Sequence, residues 1–182
     1  MDPTTNCEIN RPIHPIMNQM PAEQDAHPVS VNGRLAAYLS AHRQAILDHW
    51  LERLNGDAAI PTESLTKAEL KLHLPQILDN LIKTLLRYGS EAVAEQATQL
   101  GEVHGATRWH QGFVLPEMLR EIMHLRSILI YYLRTFEEMN EEYGMVSRFF
   151  VTSTVHRFLD ELGIDATQQF IAHGLIERKI NA

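Results

Sequence analysis

The sequence predicts an all-α fold, a bundle of five to six helices, and three observations lead there. From Gly33 onward apolar residues recur every three or four positions, as in Leu35, Leu39, Ile46, Trp50 and Leu54, which is the period of a half-buried helix. No segment shows the strict apolar–polar alternation of a strand. The apolar runs are punctuated by Asn55-Gly56, Tyr88-Gly89, Gln111-Gly112 and Gly144, where glycine is suited to stopping a helix.

Pro3, Pro12, Pro15, Pro21 and Pro28 interrupt every helical pattern before residue 33, so residues 1–33 are expected to be a disordered tail, unable to bury enough apolar surface to offset the entropy of ordering. Residues 34–55 read as one helix, its stripe widened by Tyr38, His42 and Leu47. Thr66-x-x-Glu69 is a capping box, with each side chain satisfying a backbone N–H of the other residue. Pro75 either kinks the next segment or splits it into a short helix and a longer one, the latter carrying Ile77, Leu78, Leu81, Ile82, Leu85 and Leu86. Ser90 should cap the next helix, whose apolar face is thin. There Ala94, Gly101, Gly105 and Ala106 would let another helix come close.

Leu115-Pro116 opens the longest predicted helix, to about Glu142, with Met118, Ile122, Leu125, Leu129, Tyr132, Phe136 and Met139 on one side. Its last turns carry the acidic run Glu137-Glu138-Met139-Asn140-Glu141-Glu142, a sign the helix dipole disfavours. After Gly144 a final helix buries Phe149, Val155, Phe158, Leu159 and Leu162, and Gly163 is a soft break before a more polar stretch. Val155, Leu159, Leu162, Ala166, Gln169, His173, Ile176 and Ile180 keep a heptad step that would suit either a parallel dimer or a frayed terminal helix. The expected division is thus a tail at 1–33, a helical sensor-type domain at 34–163 and a linker or signalling helix at 164–182.

Composition narrows the function. The chain has 182 residues, 45% hydrophobic and 21% charged, enough for one domain with its own core. A net charge of −7 argues against nucleic acid, whose phosphates require clustered Lys and Arg. No apolar run is long enough to span a membrane, and the N-terminus lacks the pattern of a secretory signal. A single cysteine, Cys7, excludes an internal disulfide and a cysteine-based zinc site. A cytoplasmic location is expected.

The stretch 101–122, GEVHGATRWHQGFVLPEMLREI, holds the candidate site. His104 and Arg108 are four apart and share a helix face, whereas His104 and His110 point about 120° apart and cannot meet at one metal. There is no His-Glu-x-x-His, and Glu121-x-x-His124 has no counterpart on a second helix, so no metal is expected. No nucleophile elbow, phosphate loop or kinase signature occurs, which argues against an enzyme. A polar cluster of His104, Arg108, Trp109, Glu121 and Arg126 is expected where the two helices meet, either as a structural ion-pair network or as the border of a pocket for an anionic or small-molecule signal. Two alternatives stay open. One is histidine phosphotransfer through an exposed helical histidine, although His104 lacks the lysine and glycine that usually follow a phosphoacceptor. The other is haem or tetrapyrrole ligation by His104 or by one of histidines 42, 49, 73, 110, 124 and 156.

The order of HWLERL, LHLPQILDNLIKTL, HGATRWHQGF and LPEMLREIMHLRSILI over about residues 34–160 resembles the N-terminal domain of RsbT co-antagonist proteins of the RsbRD type. The matching positions are Trp50, Leu74-Pro75, His104 with Arg108, Gly112, Glu121 and Leu125-Arg126. The resemblance implies a globin-like fold without haem or other cofactor, standing at the front of stressosome proteins or sensor histidine kinases. It implies a sensory input and homodimerisation role toward a kinase, an anti-sigma-type factor or a STAS-domain protein. The chain ends at Ala182 with no recognisable transmitter domain, so the expectation is a module acting through a separate partner, or one lacking its output half.

Overall fold

The computed structural model describes residues 31–60, 62, 65–86, 91–141 and 143–180. These residues contain helices and no strand: α1 Val31–Ala41, α2 Arg43–Asn55, α3 Lys67–Lys71, α4 Leu74–Leu86, α5 Glu91–His110, α6 Leu115–Met139 and α7 Met145–Ile180. The all-α bundle is therefore as expected. Most of the predicted tail, and the helix stop and cap at Tyr88-Gly89 and Ser90, lie outside the described residues. The first helix begins at Val31, slightly ahead of the expected boundary.

The single helix expected over 34–55 is broken at His42. Backbone bonds continue across the break, with His42 N–H donating to Tyr38 C=O at 3.0 Å and Ile46 N–H to His42 C=O at 2.9 Å. The His42 ring Nδ1 also lies 2.8 Å from the Tyr38 carbonyl, so side chain and backbone compete for one acceptor and the helix bends there. Pro75 takes the splitting alternative. It sits at the second residue of α4, where its missing N–H has no helical partner to lose. Ahead of it the Thr66–Glu69 capping box is complete at α3, with Glu69 N–H on Thr66 Oγ1 at 3.2 Å and Thr66 N–H on Glu69 Oε2 at 2.8 Å.

α5 ends in a Schellman motif. Gly112, at φ +80°, occupies the left-handed position, while Gly112 N–H reaches Trp109 C=O at 3.0 Å and Phe113 N–H reaches Arg108 C=O at 3.1 Å. The acidic end of α6 is partly offset by Asn140, which caps the helix and donates from Nδ2 to Phe136 C=O at 2.8 Å. This helix stops at Met139 rather than at Glu142.

The core is one cluster, running from Leu35 and Leu39 on α1 through Trp50, Leu78, Leu81 and Leu129 to Phe158 and Phe170 on α7. The most extensive helix pair is α5 with α7, and its closeness follows from glycine. A Cβ at Gly101 would stand 2.6 Å from the Leu162 carbonyl oxygen, and one at Gly105 would stand 2.0 Å from that of Ala166. The small-residue face of α5 therefore seats the backbone of α7.

Three expectations for the C-terminal third need correction. Gly163 does not break the helix, because α7 runs unbroken from Met145 to Ile180. Its cost of about 1 kcal/mol relative to alanine is offset by burial of Leu159, Leu162, Ala166 and Phe170 around it. The boundary at 163/164 consequently falls inside one helix that still contributes to the core. Phe149, expected to face inward, is exposed. The heptad seam is buried in the chain's own core at Val155, Leu159, Leu162 and Ala166, so along that length it cannot also hold a second chain.

Candidate functional site

The Schellman turn sets α5 and α6 at a corner, and the site lies beneath it. His104 and Arg108 descend from α5 one turn apart, and Glu121 rises from α6. All three are buried, at 5%, 2% and 1% exposure. Arg108 Nε donates to Glu121 Oε2 at 2.7 Å, and His104 Nε2 lies 3.3 Å from the same oxygen without the alignment of a hydrogen bond.

The rest of the guanidinium is directed at α3. Nη2 donates to Leu70 C=O at 2.8 Å, and Nη1 to Glu69 C=O at 3.4 Å and to the Gln111 side-chain oxygen at 2.5 Å. Both carbonyls belong to the last turn of a five-residue helix, where Glu69 C=O receives only a long 3.5 Å bond from Leu72 N–H and the dipole favours a cation. Phe113 covers the guanidinium, with 5.0 Å from its ring centre to Cζ, a cation–π distance. Arg108 therefore joins α3, α5, α6 and the turn.

Glu121 is held from a further side, since Trp50 Nε1–H on α2 donates to its backbone carbonyl at 3.1 Å. The carboxylate Oε1 has no hydrogen-bond partner among the described residues, and neither does His104 Nε2. Both residues line a small void of about 10 Å³, walled by Trp50, Leu74, Ile77, Ile122, Leu125 and Leu162. That is about the room of one water; a porphyrin or an organic signal does not fit. Beside this cluster, His73 Nε2 and Thr107 Oγ1 are 3.0 Å apart. Burial, and then the electrostatic influence of His104 and Arg108, hold the His73 imidazole below its ordinary pKa.

The five residues expected to cluster separate into three places. His104, Arg108 and Glu121 come together. Trp109 faces elsewhere, edge-on to Phe170 of α7 at 5.1 Å and against Gly174, where a Cβ would stand 2.9 Å from its ring. Arg126 leaves the corner altogether and pairs with Asp160 of α7. The partners that sequence reasoning missed are Trp50, the Glu69 and Leu70 carbonyls, Gln111, Phe113 and the His73–Thr107 pair. Of these only Gln111, three residues past Arg108 and hence on its helix face, carried a visible signal.

A second polar junction stands one turn further along α6. Asp57, in the loop after α2, accepts from Ala59 N–H at 3.0 Å and meets His124 Nε2 at 2.9 Å, with Arg120 at 3.6 Å. The hydrogen bond from His124, then that from Ala59, lowers the Asp57 pKa.

Chemically, the main site is a neutralised, desolvated ion pair. His104 is too enclosed to receive a phosphoryl group from another protein in this conformation. Among the described residues, no three His, Cys, Asp or Glu side chains are grouped to hold a metal ion, and no helix is long and apolar enough to cross a membrane. Comparison of the chain with protein-family models, with curated proteins and with solved structures finds no match.

Proposed function

We propose that this chain is a non-enzymatic sensory input module of bacterial signal transduction, cytoplasmic and dimeric, which acts through helix geometry on an output partner. The resemblance to RsbRD-type N-terminal domains supplies the class of partner: a kinase, an anti-sigma-type factor or a STAS-domain protein. The observation that carries the reading is the Arg108–Glu121 pair, buried on both sides and shared by α3, α5 and α6. Such a pair contributes little net stability compared with apolar residues of the same volume, but it specifies how the elements sit. A device that fixes relative helix position suits a protein whose output is helix position. α7 gives that output a path: about 54 Å long at 1.5 Å per residue, it is seated backbone to backbone on α5 and carries exposed Ile171, Leu175 and Ile176 toward its end.

The test is to mix the full chain with candidate partners of those three classes and follow hydrogen exchange. Protection over residues 171–180 on complex formation is the expected result. Phosphotransfer is checked by incubating the chain with acetyl phosphate and measuring intact mass. An acid-labile gain of one phosphate would replace the sensor reading with that of a phosphotransfer protein.

A further inference from the structure

α5 and α7 run parallel in one register. Gly101 lies against Leu162 and Ala166, Gly105 against Ala166, and Trp109 against Phe170 and Gly174. The next contact in that series joins His110, in the last turn of α5, to His173 of α7. Their ring centres stand 5.0 Å apart, with 71° between the ring planes. His110 is exposed and His173 half-buried, so solvent reaches the pair. Main chain rests on main chain at Gly105 and Ala166, so the backbone sets the spacing of the two imidazoles.

We propose that His110 and His173 form an exchangeable binding site for a zinc ion, which fastens the end of α5 to α7. The site stands apart from the input-module reading and needs neither a signalling partner nor a second copy.

The spacing is what a shared ion requires. Zinc binds an imidazole nitrogen at about 2.0–2.1 Å, which puts the ion about 3.2 Å from the ring centre. Two imidazoles on one ion then have centres about 5.2 Å apart at the tetrahedral angle and about 4.5 Å apart at a right angle. The observed 5.0 Å lies nearer the tetrahedral value, which favours zinc over the square-planar preference of copper and nickel. Magnesium and calcium take oxygen ligands and are not served by imidazole. In the structure the edge of one ring meets the face of the other, so loading requires the exposed His110 ring to turn about its terminal torsion, which is broad for histidine. The field assists, because His110 stands at the C-terminal end of α5, where the helix dipole favours positive charge. Among the described residues no third His, Cys, Asp or Glu joins the pair, so solvent fills the remaining positions, as at an open zinc site. Spacing along one helix could not reveal the pair, since His104 points away from His110 and the second ligand comes from α7.

The test is isothermal titration of the full chain with zinc chloride at about pH 8, where an ordinary imidazole is neutral. One zinc per chain is expected. His110→Gln and His173→Gln should each weaken that binding by about 10-fold or more, and the double variant should lose little further, because the two ligands act as one site. His49→Gln and His156→Gln are the controls and should bind as the wild type does. Circular dichroism confirms that each variant is folded. A second measurement needs no variant: in histidine NMR of the wild type, the ring signals of His110 and His173 should shift together as zinc is added. No uptake of zinc, binding that survives loss of both His110 and His173, ring shifts confined to other histidines, or one zinc per two chains overturns the proposal. A chain that binds zinc here but engages no kinase, anti-sigma-type or STAS protein would defeat the functional reading and leave the metal site standing.

Discussion

Replacing Arg108 by alanine tests the buried junction directly. The guanidinium donates to Glu121 Oε2, to the Leu70 and Glu69 carbonyls and to Gln111. Alanine therefore strands a carboxylate that is 1% exposed together with the Leu70 carbonyl at the end of α3. Breaking a buried pair from one side costs about 3–5 kcal/mol, because the remaining charge has no solvent to turn to. With a urea dependence of about 2 kcal/mol per molar, the unfolding midpoint should fall by about 1.5–2.5 M, and the melting temperature by about 6–20 °C. Replacing both partners with apolar residues, Arg108→Met with Glu121→Leu, should recover most of that loss and leave the protein within about 1 kcal/mol of wild type, since both desolvation penalties vanish together. The assay is urea unfolding followed by circular dichroism at one fixed protein concentration. If Arg108→Ala costs under about 1 kcal/mol, or if the double variant is worse than the single, the carboxylate is satisfied in some other way and the junction has been misread.

Three further predictions rest on other contacts. Gly105→Ala should destabilise by about 2 kcal/mol or more, because the new methyl meets the Ala166 main chain at 2.0 Å and a backbone cannot rotate aside; Gly112→Ala, with nothing within 4 Å but φ at +80°, should cost about 1–2 kcal/mol, and urea midpoints rank the two. Because His73 is held below its ordinary value of 6.5, the unfolded chain binds the proton more readily, so this contribution to stability is complete above pH 6.5 and is lost as pH falls through the lowered pKa; His73→Gln should flatten the decline in urea midpoint as pH falls below 6.5. Asp57 is likewise held below its ordinary value of 3.8 by the bond from His124, so the contact is complete above that value and weakens as pH falls below it; in His124→Ala the Asp57 carboxyl should titrate closer to 3.8, as followed by carboxyl NMR.

Local chemistry made some elements readable and tertiary contact hid others. The Thr66–Glu69 box, the Pro116 start of α6 and the Gly112 stop each depend on a few neighbouring residues, and each forms where the sequence places it. The break at His42 was hidden, since the apolar stripe is continuous there and a ring nitrogen reaching back to Tyr38 leaves no mark on periodicity. Gly163 misled for the opposite reason: its local weakness is real, but core contacts on either side override it. At the site, His104 with Arg108 followed from helix spacing and the nearness of Glu121 from the short turn. Arg126 was misplaced because which neighbour a face of α6 meets depends on where α7 lies, and no local spacing carries that. The Leu70 carbonyl, Arg108's contact on α3, was invisible for a plainer reason: every residue has one.

The contact between Gly105 and Ala166 limits how α5 and α7 can move against each other. Between most helices a cushion of side chains can shear by fractions of an ångström, each rotamer absorbing a little. Here main chain rests on main chain, and nothing between them can yield. The far tip of α7 is therefore carried with α5 and is not free to slide along it.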